Sequence, residues 1–358
     1  MRADEFEVLV IGEGLSGITA AAVACQQGAR VMLVSKGPGT FVLGTACIDL
    51  DGLDCSSVGL GHCGPAEVEE AMRFFLELTA AAGAAYEGGL RERGLVPTIM
   101  GTFAEVSLAP RALWKGDPRG AGKAVVVGIE NVFAFDANFV AEGLSVRSQD
   151  LGLSTAYRAV AIKLPQIQNQ RWLTPLEIAN AVDRNLFYRR AVVTALKPLV
   201  QDADLLIIPG ILGVDSCDDD IRDIEEQLGC GICELPTLPP SVPGLRLLRC
   251  LETHLAAMGA EICTGFSVQK LSVEGDRCTG AVLDTPGKQR TVRADCVILA
   301  SGKFSHLLEH GAVLAKNVVP CGSVLGKFDS RHGNAIAVVS GYQAGMLACQ
   351  QGVQYAKR

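Results

Sequence analysis

A chain of 358 residues that is 49% hydrophobic and carries a formal net charge of −7 has ample apolar material for an ordered core and the wrong sign for a nucleic-acid surface. No run approaches the roughly eighteen apolar residues that span a bilayer, and the first residues read as a strand and not a signal peptide, so a cytoplasmic protein is expected. Thirteen cysteines in such a chain point to reduced thiols before a disulfide framework.

The first element is the most informative. Val8, Leu9, Val10 and Ile11 form an apolar run suited to a buried parallel strand, followed at once by Gly12, Gly14 and Gly17 on G-x-G-x-x-G spacing. A helix then follows, and 30–34 reads as a second strand. Gly12 permits a tight turn, Gly14 clears space for phosphates, and Gly17 lets the helix lie close to the strand. The helix N-terminus, with Leu15 and Ser16 beside the glycines, is expected to face a pyrophosphate. The second strand ends in Ser35 and Lys36, where a dinucleotide site commonly has Asp or Glu for a ribose hydroxyl. The missing carboxylate weakens an NAD reading, and Lys36 reads either as a phosphate contact or as a solvated turn residue. Gly44 and Thr45 in the following loop are further cofactor candidates, and that loop also carries Cys47, Cys55 and Cys63.

The middle of the chain reads as a second α/β unit. Strands are expected at 123–129, 157–164 and 204–208, one or two helices at 175–200, and an acidic helix at 218–228. The predicted organisation is a Rossmann-like domain made of 1–85 and 240–358, interrupted by an inserted α/β domain at 86–239. Cys230 and Cys233 form a lone C-x-x-C without a second pair at usual spacing. It is open to three readings: structural thiols, a redox pair, or half a metal site. Cys25, Cys250, Cys296 and Cys349 sit in apolar patterns and read as small hydrophobes, and no metal site is assigned.

From 244 to 258 the leucines at 245, 248, 251 and 255 mark one helix face. A β-meander containing Val268 and turning at Gly275, Asp276, Pro286 and Gly287 follows. A strand at 296–299 then ends in Ala300, Ser301 and Gly302. Near the C-terminus, Gly326, Asp329, Gly333, Asn334 and Ala335 precede a long helix. Of the histidines, His254 reads as structural. His62 carries no assigned role, and His306 and His310 read as a solvated helix face. Arg331 and His332 are candidates for contact with a cofactor edge or a substrate anion. No catalytic residue is assigned.

This order resembles the two-dinucleotide-binding-domain flavoproteins, in which the late strand and its small-residue turn complete the site begun by the glycine loop. In them an Asp lies near the ribityl chain, and a helix N-terminus faces the flavin pyrimidine ring. More specifically, the LPTLPPSVPG string at 235–244, the stretch at 125–144 and the GSVLGKFD segment resemble the B-subunit family of the anaerobic glycerol-3-phosphate dehydrogenases. That resemblance implies a flavin subunit of a three-subunit, quinone-linked dehydrogenase. Its partners would be a substrate-oxidising flavoprotein, the A subunit of the complex, and an iron–sulfur protein, the C subunit, which supplies any membrane attachment. The family's B subunit is usually assigned FMN, whereas a pyrophosphate fingerprint suits FAD, so FAD ranks first and FMN second. The chain is shorter than family members between Phe304 and Asn317, which favours electron transfer over autonomous catalysis. The alternatives are a self-sufficient flavin oxidoreductase of fumarate-reductase-like type and a cofactor-free scaffold.

Overall fold

The computed structural model describes residues 5–55, 63–133, 135–167, 172–285, 287–303, 307, 315–326 and 328–356. In chain order the elements begin with β1 (Glu5–Glu13), α1 (Leu15–Gln26), β2 (Val31–Pro38) and α2 (Pro65–Ala81). Two short ladders follow, from β3 (Tyr86–Gly88), β4 (Gly94–Pro97), β5 (Phe103–Val106) and β6 (Leu108–Pro110), and then α3 (Arg111–Trp114). Next come β7 (Lys123–Ile129), α4 (Ala137–Asp150), β8 (Ala156–Ile162), α5 (Pro175–Arg184), α6 (Leu186–Leu196), β9 (Leu205–Pro209), α7 (Asp218–Leu228) and β10 (Gly231–Leu235). The chain then continues through α8 (Val242–Ala257), β11 (Glu261–Thr264), β12 (Ser267–Glu274), β13 (Arg277–Thr285), β14 (Lys288–Leu299), β15 (Val318–Pro320) and α9 (Gly333–Ala356).

Two compact units result, Met1–Phe41 with Leu50–Leu78 and Leu251–Arg358, and Val42–Asp49 with Thr79–Cys250. The changes of unit therefore fall at 78/79 and 250/251, against the expected 85/86 and 239/240, and residues 42–49 belong to the second unit.

The first unit is a seven-stranded sheet of order β11-β2-β1-β14-β13-β12, with β15 also on β14. Its central member, β14, has three partners. Residues 288–293 pair antiparallel with β13, and the rest runs parallel to β1, with Val8 opposite Cys296 and Ile11 opposite Leu299. Sequence patterning marks only its apolar end at 296–299. The preceding residues alternate exposed polar side chains with buried Val292 and Ala294, which is the period-2 signature of a strand with one wet face. Alternate residues Leu9, Ile11, Met32 and Val34 share an apolar cluster with Val297 and Leu299. The helices α1 and α9 pack on each other along a seam of small residues.

The second unit is a four-stranded parallel sheet of order β10-β9-β7-β8. Its strands β7 and β9 are apolar on both faces, as strands covered by helices on both sides require, while the edge strand β8 is only partly buried. Val125, Val127, Leu206, Ile208 and Ile232 face one cluster, with α5, α6 and α7 above it. Ala124, Val126, Leu205, Ile207 and Leu235 face the other, under α3 and α4. That alternation decides the C-x-x-C. Cys230 packs in the first cluster and Cys233 in the second, so the sheet separates their sulfurs. Each thiol donates to a backbone carbonyl on its own side, Cys230 to Ala203 at 3.5 Å and Cys233 to Leu113 at 3.7 Å. They cannot bridge each other or chelate one ion. Among the described residues no group of His, Cys, Asp and Glu is placed to hold a metal.

One buried ion pair shapes this unit where β9 ends. Glu234 accepts the amides of Ile211 and Leu212 at 2.9 Å, and Arg246 donates to both Glu234 and the carbonyl of Gly213. With both carboxylate oxygens and the guanidinium engaged, the pair is satisfied, whereas removing either partner would strand a buried charge.

Candidate cofactor site

A cleft of about 730 Å³ opens at the carboxyl ends of β1, β2 and β14, built from residues of the first unit. It is where a parallel sheet of this type presents loops and helix starts to a ligand. Its walls come from 11–16, 34–41, 266–268, 300–303 and the start of α9.

The three glycines divide their work. Gly12 has φ +114°, and a Cβ there would overlap the carbonyl of Ala300. A Cβ on Gly17 would overlap the carbonyl of Gly12, so Gly17 packs beneath the loop and does not line the cleft. Gly14 is different. Its backbone is ordinary extended chain at φ −79°, ψ 173°, and a Cβ would meet nothing within 4 Å. Of the three, only at Gly14 would a side chain meet no protein atom and take space from the cleft.

Two helices begin at this cleft. α1 starts at Leu15, and Leu15 and Ser16 line the opening together with Gly14. α9 starts at Gly333, and Gly333, Asn334 and Ala337 form the opposite edge. Both helix dipoles favour an electron-rich group between them. Ala300, Ser301 and Gly302 complete the wall, and the Ser301 hydroxyl is shielded from solvent without a hydrogen-bond partner among the described residues. Phe266, Val268, Leu307 and Phe328 supply apolar surface. A pyrophosphate carrying a planar ring suits this combination: open space at Gly14, an orphaned hydroxyl at Ser301 and two helix ends.

Ser35 and Lys36 line the cleft beside the glycine loop, Lys36 exposed. Six sequence candidates are placed elsewhere for local reasons. Gly17 is the packing glycine just described. Ala335 turns into the core of α9 and is fully buried. The Asp329 carboxylate is committed to the Arg331 amide at 2.9 Å, capping the turn Ser330–His332. Gly326 ends the preceding turn at φ +137°. Gly44 and Thr45 belong to the second unit, where Gly44 accepts from Ser241 Oγ and Thr45 Oγ1 from the Cys47 amide. Arg331 and His332 do not reach the cleft either. Both bond the carbonyl of Asp51, at 3.1 and 2.9 Å. His254 is half-buried on α8, while His62, His306 and His310, with most of 304–314, lie outside the described residues.

Sequence reasoning missed Glu13. It occupies the free position between Gly12 and Gly14, lines the cleft, and is 2% exposed. Its carboxyl accepts the Ser35 hydroxyl at 2.8 Å and the Thr264 hydroxyl at 3.2 Å, and shares a hydrogen bond with Glu252. Burial first, and the neighbouring Glu252 second, push the Glu13 pKa up from 4.5 to about 7. The available signal was paired: a carboxylate inside the glycine loop and none at the end of the second strand.

The fold and the cleft define an FAD-binding flavoprotein. A family model described as "FAD binding domain" matches residues 7–52 and 240–346, the two segments that supply the cleft. The B subunit of the anaerobic glycerol-3-phosphate dehydrogenase of Pectobacterium carotovorum subsp. carotovorum is 28% identical, over 84% of this chain and 75% of that one. A probable B subunit of the same dehydrogenase from Halobacterium salinarum is 30% identical, over 83% of this chain and 74% of that one. The chain belongs to the B-subunit family of the anaerobic glycerol-3-phosphate dehydrogenases and is a flavin-dependent oxidoreductase whose cofactor is FAD. Among solved structures, a 3-ketosteroid delta1-dehydrogenase from Sterolibacterium denitrificans is similar at 16% identity and a TM-score of 0.38, over 84% of this chain and 48% of that one.

The glycine geometry predicts opposite outcomes for two substitutions. Gly14→Val should leave thermal unfolding of the cofactor-free protein near that of the wild type while abolishing flavin retention. Gly17→Val should lower stability by about 3 kcal/mol or more through overpacking against the loop. Wild-type flavin stoichiometry in Gly14→Val would contradict the first, and an unchanged denaturation midpoint in Gly17→Val the second.

Glu13 gives a pH signature. Because its folded pKa is raised, the folded state holds a proton that the unfolded state has released, so stability falls as pH rises from about 4.5 through about 7. The facing groups are Ser35 on β2, Thr264 on β11 and Glu252 on α8. Calorimetry of cofactor-free protein at pH 5 and pH 8 should show Glu13→Gln gaining on the wild type at the higher pH. A difference that does not change with pH would contradict this.

Proposed function

We propose that this chain is the flavin-carrying B subunit of a quinone-linked anaerobic glycerol-3-phosphate dehydrogenase. In this reading a substrate-oxidising partner flavoprotein converts glycerol-3-phosphate to dihydroxyacetone phosphate. The present chain passes the electrons toward iron–sulfur centres on a second partner. FAD, when bound, can take up an electron pair and release it in single steps, which is the chemistry such a relay requires.

The observation that carries the reading is the chemistry of the cleft wall. Among the described residues lining it, the cations are Lys36 and Lys303, and none is a histidine. A self-sufficient enzyme of this kind needs a cationic clamp for its substrate anion and a positioned acid or base above the flavin. Arg331 and His332, which come nearest in sequence to that role, are bonded to Asp51 instead. The residues of the cleft suit holding a cofactor. Gly14 and the start of α1 would hold the pyrophosphate, Ser301 would donate or accept through its free hydroxyl, and the start of α9 would lie at the flavin pyrimidine ring. Among the described residues no helix is long and apolar enough to cross a membrane, so membrane attachment would come from a partner.

The expected outcome is that the purified chain, loaded with FAD, does not oxidise glycerol-3-phosphate with an artificial acceptor. Mixing it with the substrate-oxidising partner and the iron–sulfur partner should restore electron flow to a quinone. Turnover by the isolated chain would overturn the relay reading in favour of a self-sufficient dehydrogenase.

A further inference from the structure

After the apolar run of β2, where a carboxylate usually receives a ribose hydroxyl, Ser35 stands instead. Ser35 is held from two sides. It lies in register with Thr264 across β2 and β11, and one residue beyond the Ile11–Val34 pair of β1 and β2. Both Ser35 and Glu13 line the cleft, on the β2 side of the glycine loop. That is the side away from β14 and α9, hence the adenosine end of a dinucleotide whose pyrophosphate lies at Gly14.

The hydrogen-bond direction at Ser35 matters. A serine hydroxyl has one proton, and here it goes to Glu13 Oε2 at 2.8 Å. Among the described residues nothing donates to Ser35 Oγ, so its lone pairs stay available. The Glu13 carboxyl is fully engaged by Ser35, Thr264 and Glu252, and its side chain is buried. With its proton committed, Ser35 can act toward a ligand only as an acceptor.

We infer that Glu13 and Ser35 jointly replace the missing end-of-strand carboxylate: Glu13 fixes the Ser35 proton, and Ser35 Oγ accepts a hydroxyl of the adenosine ribose of FAD. Glu13 is a positioning residue and Ser35 the contact. The inference rests on the FAD assignment of the cleft and adds how the chain prefers a dinucleotide to a mononucleotide. The adenosine ribose is present in FAD and absent from FMN, so only FAD can use this contact.

Dissociation constants for FAD and for FMN, measured by flavin fluorescence on cofactor-free protein, test it. Ser35→Ala and Glu13→Ala should each weaken FAD about tenfold, the scale of one hydrogen bond, and leave FMN unchanged. The double variant should be no weaker than either single one, because both remove the same contact. Glu13→Gln should keep wild-type FAD affinity, since its amide oxygen still accepts from Ser35. Should Glu13→Ala fail to fold, Ser35→Ala alone decides. Unchanged FAD affinity in Ser35→Ala, or equal weakening of FAD and FMN, would overturn the inference. Wild-type protein that binds FMN and not FAD would instead overturn the cofactor assignment on which it rests.

Discussion

The cleft depends on one close approach, between the backbone of Gly12 and the carbonyl of Ala300. A Cβ on Gly12 would overlap that carbonyl, so β1 and β14 can meet at their carboxyl ends only because Gly12 has none. The contact continues the parallel register that sets Ile11 opposite Leu299, and the Ala300 amide donates to the Ile11 carbonyl at 2.9 Å. Through it, segments from the two ends of the chain become one binding surface. Gly17 repeats the device one layer down, bringing α1 close enough for its first turn to face the same space.

With that scaffold fixed, the electrostatics follow. Two helix N-termini converge on the cleft, each worth about 0.3–1 kcal/mol toward an electron-rich group at its end. Against this background Glu13 is a carboxyl inside a site that favours negative charge on its ligand. Burial and the neighbouring Glu252 push its pKa up, against the Ser35 and Thr264 hydroxyls, which favour the charged form, so it opposes a phosphate less than an ordinary carboxylate would. The second unit handles buried charge differently, pairing Glu234 with Arg246.

Much of this architecture was legible in the residues, and the failures have physical causes. The glycine loop and its helix could be read because each glycine answers a steric demand that no other residue meets. The small-residue turn at 300–302 and the helix start near Gly333 were readable for the same reason, as breaks between apolar elements. Glu13 was not, because the position between two loop glycines imposes no residue type. Its role is set by Ser35 and Thr264, which arrive from strands distant in sequence. Asp329 caps a turn and Ala335 faces the core, and neither role can be told from spacing alone. The C-x-x-C was ambiguous until the strand period put its sulfurs on opposite faces of a sheet.

The central claim is that the glycine loop and the C-terminal turn form one FAD site. The direct measurement is the identity and stoichiometry of the flavin released by denaturing the purified protein, read by absorbance and mass. The account predicts a yellow protein that releases stoichiometric FAD. A protein that releases FMN, or that stays colourless after incubation with FAD, would contradict it.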